Sequence, residues 1–291
     1  MSPDLLVSTA DGLTLASYDL GGDGDPLLLV HATSFHAHVF LPMLDRLRST
    51  FHCYAFDLPA HGASPPPSDG NFNWRRLAGA TLAVAEGFGL DTPVGFGHSC
   101  GGAALVMAEQ DQPGAFDALY LYEPVLVPAT TVPPEMQGEQ NPLASGALRR
   151  REAFPSRQDA YDNFATKPPF DVLDPAALQA YVDYGFVDRP DGTVSLACRP
   201  ADEAAYYQMA SLSGAWERLG QVACPATVAG GNALAHFGPE ATGAIASLLP
   251  RGRHELFDGL GHFGPLQDPR RVAESVVRAL TAAERGGAGS A

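Results

Sequence analysis

The pentapeptide Gly97-His98-Ser99-Cys100-Gly101 places a serine hydroxyl midway between two glycines, a G-x-S-x-G pattern. Residues 94–97 read as an apolar strand and 101–110 as a helix, so the serine falls on a strand-to-helix bend, the context in which this pattern makes a nucleophile. The glycines leave room for a cramped turn that lifts the hydroxyl clear of the backbone and aims the helix N-terminus at a reacting carbonyl. A serine needs a base. Of nine histidines, His262 is placed best, in Gly259-Leu260-Gly261-His262-Phe263-Gly264-Pro265 between the last strand and the last helix. From there a ring can reach the serine across the sheet edge. His236 is a rival in the loop after residues 227–230, whereas His98, inside the bend, reads as a packing residue.

Positioning these groups requires alternating strands and helices. Residues 13–19 alternate apolar and polar, and a glycine turn at 21–24 precedes Leu27-Leu28-Leu29-Val30, a continuous apolar run of the kind buried on both faces of a parallel sheet. The spacing predicts a helix over 39–50, a strand over 53–56, a helix over 74–88 and a strand over 119–122. The pattern then breaks. Residues 125–215 gain prolines and aromatics, with helices over 175–184 and 201–213 and weak strand signals. Alternation resumes with strands over 227–230 and 254–257 and helices over 239–249 and 269–284. The expected organisation is an α/β core over 1–124 and 216–284, an inserted helical segment over 125–215, and a disordered small-residue tail over 285–291. The insertion should lie over the C-terminal edge of the strands, where open α/β sheets bind ligands.

Composition narrows the class. The chain has 291 residues, 45% of them hydrophobic, enough for a sizeable core. Lys plus Arg number 18 against 33 Asp plus Glu, a net charge of −15 that disfavours nucleic acid or anionic membrane as a partner. Four scattered cysteines, with no CxxC pair, fit neither a zinc knuckle nor a disulfide scaffold. The N-terminus carries no signal-peptide pattern, and no run of about 18 apolar residues occurs, so a cytoplasmic protein is expected. No spacing suggests a metal and no glycine pattern suggests a nucleotide, so no cofactor is implied. A small molecule is the expected partner. Oligomeric state is open, a homo-oligomer included.

Four segments together resemble the α/β-hydrolase fold family: Val30-His31-Ala32-Thr33, Asp57-Leu58-Pro59-Ala60-His61-Gly62-Ala63-Ser64, the Ser99 bend, and the loop around His262. The resemblance implies a mostly parallel eight-stranded sheet with a helical cap over the active site. His31-Ala32-Thr33 is similar to the family's His-Gly-x loop, with Ala32 where the family usually has glycine. That similarity implies the backbone N–H of Thr33 as one oxyanion donor and that of Cys100 as the other.

The third member of a serine–histidine relay departs from the common family pattern. Most relatives carry the acid in a Gly-x-x-Asp loop after the penultimate strand, but no Asp or Glu occurs from Ala226 through Pro239. Glu123, at the end of the strand over 119–122 and just before Pro124, is the leading candidate, and its placement resembles that in zearalenone lactonase. A helix-capping or cap-anchoring role for Glu123 is the plainer alternative. Asp258, four residues before His262, is the rival acid, and Asp57 more naturally braces the His61-Gly62 turn.

The expected chemistry is serine hydrolysis of an ester or lactone of a medium-sized, largely apolar substrate, through an acyl-enzyme, with Ser34, Phe35, Trp74 and Tyr184 as substrate-binding candidates. The same resemblance leaves open a carbon–carbon bond hydrolase or a cofactor-free perhydrolase or haloperoxidase. A non-catalytic small-molecule receptor is the alternative outside enzymes. Dehalogenase and epoxide-hydrolase chemistry is disfavoured, because Ser99 stands where those relatives use aspartate.

Overall fold

The computed structural model describes residues 2–128, 141–233 and 238–281. The chain opens with β1 (Leu5–Ser8), β2 (Thr14–Gly21) and β3 (Asp25–Val30), then α1 (Leu41–Leu47) and β4 (Phe51–Phe56). Next come α2 (Arg75–Gly87), β5 (Val94–His98), α3 (Cys100–Asp111) and β6 (Leu119–Tyr122). An inserted stretch carries α4 (Pro142–Leu148), β7 (Ala153–Phe154), α5 (Arg157–Ala165), α6 (Pro175–Tyr184), β8 (Phe186–Asp188), β9 (Val194–Leu196) and α7 (Pro200–Met209). The chain then returns through β10 (Ala226–Gly231), α8 (Pro239–Leu248), β11 (Gly252–Phe257), α9 (Gly264–Gln267) and α10 (Pro269–Leu280).

Eight strands form one sheet in the order β1-β2-β4-β3-β5-β6-β10-β11. The β1–β2 and β2–β4 pairs are antiparallel and the rest are parallel. Side chains alternate across the pleat, so the apolar run of β3 serves two cores at once. Leu27 and Leu29 join Met43, Leu44 and Leu47 of α1 and Val272, Val276 and Leu280 of α10. Leu28 and Val30 join Leu77 and Val84 of α2, Leu105 and Val106 of α3 and Ile245 of α8 on the other face.

The inserted stretch contains more than helices. It includes a second, three-stranded antiparallel sheet, β7-β9-β8, where the sequence signals strand only weakly. These strands are two or three residues long, too short for a periodicity, and the β8–β9 pairing is set by a turn at Pro190-Asp191-Gly192, with Gly192 at φ +83°. Tyr206 of α7 ties the stretch to the core: its hydroxyl donates to the Pro59 carbonyl at 2.9 Å, and its carbonyl accepts from the Trp74 indole at 3.1 Å. It thus docks on loops that leave the C-terminal ends of parallel strands. The expected tail over 285–291 lies outside the described residues, as does His236.

Glycine replacement separates two kinds of position. A Cβ on Gly101 would sit 2.1 Å from the Val30 carbonyl oxygen, whereas one on Gly79, exposed in the middle of α2, would meet nothing within 4 Å. Gly79→Ala is expected to stabilise the fold by about 0.5–1 kcal/mol. Gly101→Ala forces two backbones apart and should destabilise by more than that gain. Urea denaturation of the two variants checks both signs; a Gly101→Ala protein as stable as the parent counts against this account of the bend.

Candidate active site

Ser99 stands between β5 and α3 at φ +55°, ψ −115°, a conformation non-glycine residues rarely adopt. Its surroundings hold it there. The Ser99 amide donates to the Tyr122 carbonyl at 3.0 Å, and the Ser99 carbonyl accepts from Val125 and Ala103, each at 3.2 Å. A Cβ on Gly97 would fall 2.6 Å from Cα of Gly102, so the glycine at that position is what lets the chain double back.

His262 Nε2 lies 3.1 Å from Ser99 Oγ, and its Nδ1 lies 2.7 Å from Glu123 Oε2. A carboxylate only accepts, so Nδ1 carries the proton and Nε2 is left as the acceptor facing the serine. Glu123 is buried, at 2% exposure, and its other oxygen accepts from the Gly231 amide at 2.9 Å. It too has an unusual backbone, φ +41°, with its amide bonded to the Ala229 carbonyl at 2.8 Å. The strand next to β6 therefore meets Glu123 with a backbone N–H and supplies no carboxylate of its own. Asp258 is exposed, and its carboxylate accepts from the Asn232 side chain at 2.9 Å.

The loop carrying His262 is pinned from beneath. His98 Nε2 donates to the His262 carbonyl at 2.7 Å, the Tyr122 hydroxyl donates to the Gly261 carbonyl at 2.9 Å, and the Gly261 amide donates to the Gln267 side chain at 2.8 Å. His98 thus contacts the backbone of His262 from within the serine bend, a role that residue type and spacing alone did not signal.

Two buried histidines shape the loop after β3. His31 Nδ1 donates to the Ala32 carbonyl at 2.7 Å while its Nε2 accepts from the Leu58 amide at 2.9 Å. His61 Nδ1 donates to the Pro59 carbonyl at 2.9 Å while its Nε2 accepts from the Ser34 amide at 3.0 Å. Each ring works only when neutral. The Thr33 side chain lies beside the Cys100 thiol, which brings together the two residues whose amides the family resemblance implies as oxyanion donors. Cys100 is also the first residue of α3, where amides have no partner within the helix. Asp57 is buried and accepts from the amides of Ala37 and Ala63 and the Tyr18 hydroxyl, each at 2.8 Å; burial pushes its pKa up to about 6.

The four substrate-binding candidates have different surroundings. The Ser34 hydroxyl bonds Glu203 of α7, at 2.5 Å. The Phe35 ring meets Tyr181 and Phe263, each at 5.5 Å between centroids, and Phe170 at 5.8 Å, and Phe263 lies 5.7 Å from the His262 ring. Trp74 is engaged with Tyr206, and Tyr184 stacks on His38 at 4.3 Å. Glu203, which accepts from Ser34, and Arg150, which pairs with Glu203, carry no motif and were not foreseen. Among the described residues, no group of three or more His, Cys, Asp or Glu side chains could hold a metal ion, and no helix is long and apolar enough to cross a membrane.

With this geometry in place, the family is clear. Residues 27–275 match the model of the alpha/beta hydrolase family, and the chain belongs to it. Among solved structures, an E-2-(acetamidomethylene)succinate hydrolase is 19% identical with a TM-score of 0.78, covering 94% of this chain and 98% of that one. The esterase RhEst1 from Rhodococcus sp. ECU1013 is 21% identical with a TM-score of 0.74, covering 97% and 100%. Both likenesses show the fold. A curated relative, the dihydrolipoyllysine-residue acetyltransferase component of the acetoin cleaving system of Cupriavidus necator, is 31% identical over 123 residues, 40% of this chain. The match spans 30% of that protein's length.

The buried histidines set an acid limit. Burial lowers His36 and His98 to about 3, His38 and His61 to about 4, and His31 well below the usual imidazole value of 6.5. Between those values and 6.5 the unfolded chain binds protons the folded chain refuses. Their contribution is therefore complete above pH 6.5 and is lost as pH falls below it, by about 1.4 kcal/mol per group per unit. Asp57 works the other way, gaining stability for the fold as pH falls from about 6 toward 3.8, but it is one group against five. The melting temperature should drop steeply between pH 6.5 and 5; circular dichroism melts showing a flat profile there overturn the argument.

Proposed function

We propose that this chain is a serine hydrolase that cleaves an ester or lactone of a medium-sized, largely apolar substrate through an acyl-enzyme. The observation that carries the proposal is the unbroken run of hydrogen bonds from Ser99 Oγ through the His262 ring to Glu123, with the serine held on a strained bend. Ser99 Oγ attacks the carbonyl carbon as its proton passes to His262 Nε2. Glu123 holds Nδ1–H in place and stabilises the imidazolium that forms. The amides of Thr33 and Cys100 receive the oxyanion of the tetrahedral intermediate, a contribution of about 3–4 kcal/mol per donor in comparable sites. His262 then gives its proton to the departing alkoxide, and in the second half takes one from the water that releases the acid and restores Ser99.

The stretch over 125–215 acts as a cap in this reading. The apolar substrate class rests on the grouped Phe35, Phe170 and Phe263 rings, of which Phe263 lies beside His262. Lactones are favoured within it because the acid follows β6, the placement that resembles zearalenone lactonase.

A fluorophosphonate probe tests the nucleophile without knowing the substrate. Labelling of the parent at Ser99, and none of Ser99→Ala, is expected; a folded parent that stays unlabelled would point to a receptor on this scaffold. Glu123→Gln should slow turnover of a p-nitrophenyl ester by about 10²–10⁴-fold, by analogy with triad-acid replacement. Asp258→Asn should leave it within twofold. The opposite ranking would move the acid role to Asp258.

A further inference from the structure

Ser34 is the residue after Thr33 and occupies φ +77°, where a side chain is strained. Two grips hold it. Its amide is bound by His61, and its hydroxyl donates to Glu203 Oε1 at 2.5 Å, with the Tyr207 hydroxyl 3.3 Å away. Glu203 belongs to α7, is 4% exposed, and its other oxygen accepts from Arg150 Nη1 at 2.5 Å. Arg150 in turn donates to the Tyr181 hydroxyl at 2.7 Å and lies over the Phe164 and Phe170 rings, 5.9 and 5.7 Å from their centroids.

A buried ion pair is a poor stabiliser, since desolvating both charges offsets their attraction. This pair spends one carboxylate oxygen outside itself, on a hydroxyl of the strained loop. Coulombically, a bare carboxylate beside an oxyanion hole would oppose the charge that forms there. The Arg150 guanidinium removes that objection and leaves a neutral, directional acceptor.

Resting on the hydrolase reading above, we propose that Glu203 is a positioning residue: its bond to Ser34 locks the oxyanion loop, with Arg150 cancelling its charge, so that the cap completes the hole. The Thr33 amide is then aimed only while α7 is docked. Ser34→Ala deletes one end of the bond and leaves the Arg150–Glu203 pair intact. Glu203→Gln breaks the ion pair but keeps a carbonyl oxygen to accept from Ser34.

Three readouts separate positioning from mere stability: the fluorophosphonate labelling rate at Ser99, kcat and KM on a p-nitrophenyl ester, and the melting temperature. Ser34→Ala should label about tenfold more slowly, less than the loss of a whole oxyanion donor, with the change in kcat, KM within twofold and little change in melting temperature. Glu203→Gln should melt lower yet label faster than Ser34→Ala. The proposal is overturned if Ser34→Ala reacts like the parent, or if rate simply follows melting temperature across the variants. Should Glu203→Gln fail to fold, the Ser34→Ala result decides alone. A parent that labels at Ser99 while Ser34→Ala is unaffected removes this inference only; an unlabelled parent removes the hydrolase reading itself.

Discussion

The hydrogen bond between Glu123 and His262 is the constraint on which the site depends, because its partners leave strands that are not neighbours. Glu123 follows β6 and His262 follows β11, with β10 between them. The carboxylate must therefore reach across the end of β10. Gly230 and Gly231 make that crossing feasible: a Cβ on Gly230 would press on Glu123 Cγ at 3.3 Å, and one on Gly231 would strike the Leu260 carbonyl at 2.0 Å. The Gly231 amide then fixes the carboxylate that the missing side chains admit. An acid placed after β6 and a bare glycine pair at the end of β10 are two halves of one solution.

This logic explains what the sequence did and did not disclose. The Ser99 bend was legible because its glycines are required by contacts a few residues away, with Gly97 against Gly102. The strands β3, β5 and β6 were legible because burial on both faces leaves continuous apolar runs. Glu123 could be nominated, with Asp258 as rival, because residues 226–239 hold no acid and the family resemblance implies an alternative place after the sixth strand. Glu203 and Arg150 could not. Glu203 takes its role from contact with Ser34, 169 residues away, and Arg150 from contact with Glu203; a buried Glu reads in sequence like any solvated one on a helix. Trp74 and Tyr184, singled out as large aromatics, are engaged with Tyr206 and His38, because an aromatic side chain in a sequence announces burial without saying in which cluster.

The catalytic candidate and the buried histidines differ in environment. His262 keeps a side-chain exposure of 25%, beside the carboxylate that orders its tautomer. His31, His61 and His98 are buried, and each uses the imidazole as a rigid connector to backbone groups, with Nδ1 or Nε2 assigned by the carbonyl or amide it meets. A neutral imidazole donates on one side and accepts on the other, whereas an ionised carboxylate only accepts and an ammonium only donates. Two such rings, His31 and His61, bond the loop after β3 to the segment that follows β4.

The loop after β3 grips the inserted stretch in two chemically different ways at adjacent residues. Ser34 enters the ionic group on α7, while Phe35 enters the aromatic group of Phe170, Tyr181 and Phe263. Through Phe35 the apolar interior of the insertion is continuous with the core on the α1 and α10 face of the sheet. Lifting α6 and α7 together would open that continuous apolar surface to water and also strip the Arg150–Glu203 pair of its surroundings, costs that add because the two contacts share one loop. Under the proposed function, a substrate route that leaves α6 and α7 in place avoids both costs.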